Sequence, residues 1–287
     1  MFEADPRLWH YAEPLDPERL VRQYDAFTEL VLECGAEIEW IEPEDDGLAD
    51  SIFPYDPSFV TGEGAILLRP GKSLRAGEIG LHERLYRRLG VAVLGAIDAP
   101  GLAEGGDCFW VDERTLAVGR GFRTNQAGID QLGRILAPQD VELVVFDLPA
   151  WEGEAACLHL MSLVSPLDDD LALVYRRLLP VALYELLGDR GVTCLEAPDE
   201  EFAASRGLNL NVLATAPRAC IAIDGFPKTA DLMREAGCDV RLFPGDALCI
   251  PCEGGPTCMT RPILRYQPPP VLTRAAGTTR ADPSPAC

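Results

Sequence analysis

Asp107-Cys108-Phe109-Trp110-Val111, then Asp112-Glu113-Arg114 and Thr115-Leu116-Ala117-Val118, followed by Asn125 to Leu136 and Val141 to Phe146, read as one ββαβ unit. Two short apolar runs flank a charged turn, which is the mark of a hairpin, and a helix then carries the chain to a third strand. The same order recurs on both sides of it. Upstream, Asp56 to Thr61, the turn Gly62-Glu63-Gly64, Ala65 to Leu68, a helix from Arg75 to Leu89 closed by Gly90, and Val91 to Leu94 form an earlier unit. Downstream, Leu158 to Val164 with Leu171 to Tyr175, a helix near Pro180 to Leu187 and Val192 to Leu195 form a third. Asn209 to Ala214, Ala219 to Ile223, a helix from Thr229 to Ala236 and Asp239 to Phe243 form a fourth.

A fifth unit is split between the two ends of the chain. Its strand half lies around Cys258 to Tyr266. Its helix lies in Asp16 to Gly35, where Leu20, Tyr24, Phe27, Leu30, Val31 and Cys34 recur at helical spacing, and its last strand in Glu37 to Ile41. A repeat of this period, completed by joining the termini, predicts a closed α/β ring of five ββαβ units, a five-bladed propeller. Residues 1–266 are then one domain, and Gln267-Pro268-Pro269-Pro270 onward is expected to be a disordered tail. The acidic stretch Glu42 to Gly47 reads as a mobile, solvent-facing loop.

Composition narrows the partners. The chain has 287 residues and carries 46 acidic against 25 basic side chains, a formal charge of −21, which repels nucleic acid and anionic membrane and favours a small cation. The N-terminus lacks a basic and then apolar leader, and no run is long enough to cross a bilayer, so a cytoplasmic location is expected. Ten cysteines are scattered through apolar segments, as small core residues are in a reducing compartment. Cys249 and Cys252 form the one tight pair. Zinc would need further ligands, the nearest being Cys258 with no histidine close in sequence, and a redox pair would need a helix opening after it.

Residues entering the first strand of each unit should face a common axis. Those positions hold Asp56, Glu104-Gly105-Gly106-Asp107, His159, Asn209-Leu210-Asn211 and Cys258. Cys258 lies in Pro251-Cys252-Glu253-Gly254-Gly255-Pro256-Thr257-Cys258, where a Gly-Gly-Pro turn presents it ahead of the short apolar run Ile263-Leu264. A hairpin turn beside a packed thiol is the plainer alternative. His159 is set in an apolar strand, whereas His82 and His10 read as surface residues.

Taken together, Asp50-Ser51-Ile52-Phe53-Pro54-Tyr55-Asp56, Arg69-Pro70-Gly71 with Arg75 and Glu78, Glu104-Gly105-Gly106-Asp107, Gly121 to Asn125, His159-Leu160-Met161-Ser162 and Gly254 to Thr260 resemble the guanidine-modifying enzymes. The pattern is most similar to dimethylarginine dimethylaminohydrolases, with arginine deiminases and amidinotransferases as relatives. The resemblance implies the pentein propeller and a cysteine hydrolase acting on the guanidinium of arginine or an N-substituted arginine, giving citrulline or another ureido product and an amine. It implies Cys258, His159 and Glu104 as catalytic residues and Asp56, Asp50, Arg75, Arg123 and Phe53 around the substrate. No metal and no organic cofactor is implied. The partner expectations are a small cationic guanidino compound, no nucleic acid, no membrane, and room for a homodimer. Tyr55 and Met161 depart from the hydrolase pattern, which usually has glutamate and lysine there. A deiminase, an amidinotransferase or a non-catalytic binding ring are the alternatives.

Overall fold

The computed structural model describes residues 5–9, 11, 15–42, 47–154, 156 and 158–265. His10, Cys157, most of the 42–47 loop and the tail beyond 265 lie outside the described residues. A short helix α1 (Pro6–Trp9) precedes the amphipathic α2 (Pro17–Glu33). Asp16 caps α2 by accepting from the Glu18 and Arg19 amides, and Pro17 fits the first turn, where no intrahelical donor is required.

Four units follow, each with its own sheet. The first holds β1 (Ser58–Thr61), β2 (Gly64–Leu67), α3 (Glu78–Leu89) and β3 (Val93–Ala96), and the second β4 (Cys108–Trp110), β5 (Thr115–Arg120), α4 (Gln126–Leu136) and β6 (Glu142–Asp147). The third holds β7 (Val164–Asp168), β8 (Leu171–Val174), α5 (Val181–Asp189) and β9 (Thr193–Glu196). After α6 (Asp199–Ser205), the fourth holds β10 (Leu213–Ala216), β11 (Ala219–Ile223), α7 (Pro227–Glu235) and β12 (Asp239–Phe243), and a last short helix is α8 (Cys249–Cys252).

In every sheet the second strand is central, antiparallel to the first and parallel to the third. Position explains composition. The central strands Gly64-Ala65-Ile66-Leu67 and Leu171-Ala172-Leu173-Val174 are buried along their whole length, as strands covered on both faces must be, while the third strands Val93–Ala96 and Thr193–Glu196 are half-exposed. The helix of each unit makes the crossover that a parallel pair requires.

The expected fifth sheet is not formed among the described residues. Residues 37–41 run extended without a strand partner, the Trp40 carbonyl accepting from Arg88 at 2.6 Å and its ring packing 6.3 Å from Tyr24. Residues 258–265 pair with no strand either; Pro262 has no amide donor and Leu264 is 89% exposed, so only Ile263 of the Ile263-Leu264 run packs inward, against the core around Ala65, Leu67 and Tyr86. The two ends of the chain nevertheless meet. Phe27 of α2 packs on Phe243 of β12 with ring centroids 5.2 Å apart, and the Gln23 side chain accepts from the Ala247 and Leu248 amides at 3.0 and 2.9 Å.

His82 is a second correction. It is 2% exposed, with Nδ1 2.9 Å from the Ser58 hydroxyl, which also meets Tyr86 Oη at 2.6 Å. Burial first, and then the charges of Arg261 and Arg75, push its pKa down to about 3, so it is neutral.

Because α2 reaches the fourth unit through one fully buried ring, Phe27→Ala should cost about 3–5 kcal/mol of unfolding free energy in urea titration. A loss within experimental error of zero would show that α2 is not part of the cooperative core.

Candidate functional site

Short 3-10 turns precede the first strand of each unit: Ala49–Ile52, Gly105–Asp107, Leu160–Ser162 and Leu208–Leu210. The polar side chains singled out from the sequence flank these turns and do not lie inside the strands. Glu104 and His159 sit just before their turns, Asn211 just after its own, and Asp56 just before β1. The offset matters chemically. A strand residue is fixed by pleating, whereas a residue at a turn can aim a polar group toward the common end of several sheets.

Backbone contacts hold these segments in register. The Tyr55 amide donates to the Cys258 carbonyl at 3.2 Å, and the Gly105 amide to the Asp56 carbonyl at 3.0 Å. The Gly106 amide donates to Asp56 Oδ1 at 2.9 Å. Gly106 also lies against the His159 imidazole: a Cβ there would stand 2.4 Å from Nδ1, so only glycine lets the two turns close. On the other side, a Cβ at Gly255 would stand 2.6 Å from Asn211 Cγ. That side chain fixes the Thr257-Cys258 step, accepting from the Thr257 amide at 2.9 Å and donating to Cys258 Sγ at 3.0 Å.

His159 Nε2 lies 2.6 Å from Glu104 Oε2, and both side chains are buried. Glu104 Oε1 accepts from the Gly71 amide at 2.7 Å and from Arg123 at 3.3 Å. Burial would raise the Glu104 pKa, but the hydrogen bond and charge of His159, then Arg123 and Arg75, hold it far below the usual carboxylate range. Asp107, fully buried, accepts from the Leu160 amide at 2.9 Å, and burial pushes its carboxyl up to about 6 against the opposing charge of His159. Burial, reinforced by the Asp56 charge, pushes the Cys258 thiol up to about 11 against the opposing influence of the Gly255 loop, Asn211 and His159. The thiol is therefore protonated at neutral pH.

Among the described residues, Asp56, Glu104 and His159 place one donor atom each within 4.8 Å of one another, the spacing of a metal cluster. Their atoms are already engaged with Arg75, Gly106, Gly71, Arg123 and each other. Cys249 and Cys252 are not in such a cluster. Both are buried in α8, where burial pushes the Cys252 thiol up to about 12 and that of Cys249 well up.

The other residues expected around a ligand fall in two groups. Arg123 and Phe53 border the hub. Phe53 is 5% exposed, its ring against Gly254, and its carbonyl accepts from Arg75 at 2.7 Å. Arg75 is 4% exposed, inside the wall and not at its mouth, because its guanidinium is bound to Glu78 at 2.8–3.1 Å and to Asp56 at 2.7 Å. Asp50 is paired with Lys72 at 2.6 Å and with the Tyr11 hydroxyl at 2.8 Å. Lys72, Tyr11 and Arg261 were not singled out from the sequence. The two departures, Tyr55 and Met161, turn out to be partners, Tyr55 Oη donating to Met161 Sδ at 3.3 Å under an Arg261 guanidinium 3.7 Å from the Tyr55 ring centroid.

Known proteins resemble this chain along most of its length. The arginine deiminase family model matches residues 45–185. The chain is 29% identical over 245 residues to an N(G),N(G)-dimethylarginine dimethylaminohydrolase of Streptomyces coelicolor, covering 84% of this chain and 86% of the relative. It is 26% identical over 252 residues to the enzyme of that description from Pseudomonas aeruginosa, covering 88% and 91%. The solved structure of Pseudomonas aeruginosa dimethylarginine dimethylaminohydrolase, a cysteine-to-serine mutant complexed with citrulline, has the same fold, with a TM-score of 0.73 at 23% identity over 89% of this chain and 94% of that one.

The Asp56 charge raises the Cys258 pKa, so Asp56→Asn should lower it and speed alkylation of Cys258 by neutral iodoacetamide at pH 8, read by peptide mass spectrometry. An unchanged or slower rate would mean that Asp56 does not act on the thiol.

Proposed function

We propose that this chain, which belongs to the guanidine-modifying superfamily, is a cysteine hydrolase of the dimethylarginine dimethylaminohydrolase type, converting the guanidinium group of an N-methylated arginine to a ureido group with release of the amine and citrulline. The observation that carries the reading is the buried His159–Glu104 pair at 2.6 Å, clustered with Asp56 and tied through the backbone to Cys258.

A guanidinium carbon is a poor electrophile because its charge is spread over its nitrogens. Binding it flat between Asp56 and Glu104 uses charge-assisted hydrogen bonds to fix the plane. The same cation offsets the burial and the Asp56 charge that together keep the Cys258 thiol protonated, so thiolate forms where and when substrate is present. Sulfur adds to the central carbon, His159 delivers a proton to the departing amine, and an S-alkylthiouronium remains on Cys258. A water that gives its proton to His159 adds to that carbon, and collapse frees the thiol and the ureido product. Asn211, by donating to sulfur, steadies the thiolate. Arg75 acts on Asp56 from within the wall, orienting it through an ion pair at 2.7 Å, instead of meeting the substrate.

The architecture that suits this chemistry is a ring of five sectors. We place α2 and residues 249–263 in the fifth, without a sheet of their own, closing the hub between the fourth and first units in a single domain. No helix among the described residues is long and apolar enough to cross a membrane.

The arginine deiminase match favours one second reading, hydrolysis of unsubstituted arginine with release of ammonia. Incubation with dimethylarginine, monomethylarginine and arginine, assaying the ureido product and the amine separately, distinguishes the two. Methylamine or dimethylamine release is expected, with turnover abolished by Cys258→Ser and kcat lowered roughly 10²–10⁴-fold by His159→Ala. Ureido product from none of these, or full activity in Cys258→Ser, would refute the assignment.

A further inference from the structure

The loop that presents Cys258 is tethered at its start by a guanidinium from a distant part of the chain. Arg206 Nη1 donates to Glu253 Oε1 at 2.5 Å, and Arg206 Nη2 to Glu152 Oε2 at 2.8 Å. Glu253 is the residue at which the chain leaves α8 and enters Gly254-Gly255-Pro256-Thr257-Cys258. Arg206 is the residue at which the chain leaves α6, and its segment runs on through the 3-10 turn Leu208–Leu210 to Asn211, the donor to Cys258 Sγ. One ion pair thus joins the starts of two segments whose far ends meet at the sulfur.

The backbone at both starts is left-handed, with φ of 54° at Arg206, 89° at Gly207 and 55° at Glu253. Only Gly207 has the residue type that such a turn favours; at Arg206 and Glu253 a side chain is kept against that preference, and each is used to hold the other. Beyond Glu253 the loop has little room. A Cβ at Gly254 would stand 2.4 Å from the Phe53 ring and one at Gly255 2.6 Å from Asn211 Cγ, so a small change of direction at Glu253 moves the loop against one of these walls or away from it. The second arm of Arg206 is seated as well, because Trp151, beside Glu152, packs edge-on against Phe202 of α6 with ring centroids 6.1 Å apart. The Arg206 and Glu152 side chains are 50% exposed and that of Glu253 24%, so these pairs add little to global stability, and their effect lies in geometry.

Accepting the cysteine-hydrolase reading, we propose that Arg206 is a positioning residue for the nucleophile: by holding Glu253, with Glu152 as its second anchor, it sets the direction of the 254–257 turn and keeps the Asn211 side-chain amide on Cys258 Sγ. Release of Glu253 lets the Gly254-Gly255 step swing, and the sulfur loses a donor that favours its thiolate form. The titratable and charged groups facing the sulfur, Asp56, His159 and Cys249, are untouched by this change.

Alkylation of Cys258 by neutral iodoacetamide at pH 8, read by peptide mass spectrometry, tests the tether without any substrate. Arg206→Met keeps the aliphatic stem and removes the charge, and should slow alkylation roughly three- to tenfold with little change in the thermal midpoint; Arg206→Lys should recover part of the rate. Glu253→Ala separates position from charge. A direct effect of charge on the thiol would slow the reaction when the cation is lost and speed it when the carboxylate is lost, whereas loss of position slows it in both variants, and the double variant adds nothing to either. An unchanged or faster rate in Arg206→Met, a faster rate in Glu253→Ala, or additive losses in the double variant would overturn the proposal. With dimethylarginine, Arg206→Met should lower kcat by a similar factor and leave KM nearly unaltered, since Asp56 and Glu104 still bind the guanidinium; a higher KM at unchanged kcat would also overturn it. Absence of hydrolysis by the unaltered protein would be a failure of the hydrolase reading, and the alkylation series would still decide the role of Arg206.

Discussion

Two buried carboxylates, Asp56 and Glu104, converge at the end of the sheets, and the rest of the structure is arranged to hold them there. Buried acceptors so close together each need donors of their own. Here each is met by backbone amides from a glycine and by a fixed cation: Arg75 and the Gly106 amide for Asp56, His159, Arg123 and the Gly71 amide for Glu104. Arg75 remains charged because Glu78 and Asp56 outweigh the cost of its burial. The hub is therefore prepared for a flat cation before one arrives, which is what preorganised electrostatic stabilisation requires.

This constraint explains the glycines and the turns. Gly106 is small because the His159 ring occupies the space its side chain would need, and Gly255 because Asn211 does. Short 3-10 turns ahead of each first strand set the directions of Glu104, His159 and Asn211, which pleated strands would have alternated between two faces. The acidic bias of the whole chain fits the same task, drawing a cation toward a negative cleft.

Four of the units were legible because a doubly covered central strand is a short continuous apolar run bounded by turns, and a crossover helix must follow it. The fifth was not, because its segments are held by side chains of distant elements, Arg88 on the Trp40 carbonyl and Gln23 on the 247–248 amides, and no local pattern records that. His82 was misplaced for the same reason: its partner Ser58 lies 24 residues earlier, and an Arg-rich helix looked solvated. Arg75, Asp50 and Lys72 show the limit most clearly. The sequence offers the charges near the site but not which of them neutralise one another, since that depends on burial.

The thiouronium on Cys258 is the chemical event toward which all of this points. Acid-quenching the protein during steady-state turnover of dimethylarginine, followed by peptide mapping, should yield a mass increment equal to substrate minus dimethylamine on the peptide containing Cys258. Turnover without any such adduct, or an adduct carried instead by Cys249 or Cys252, would contradict the account.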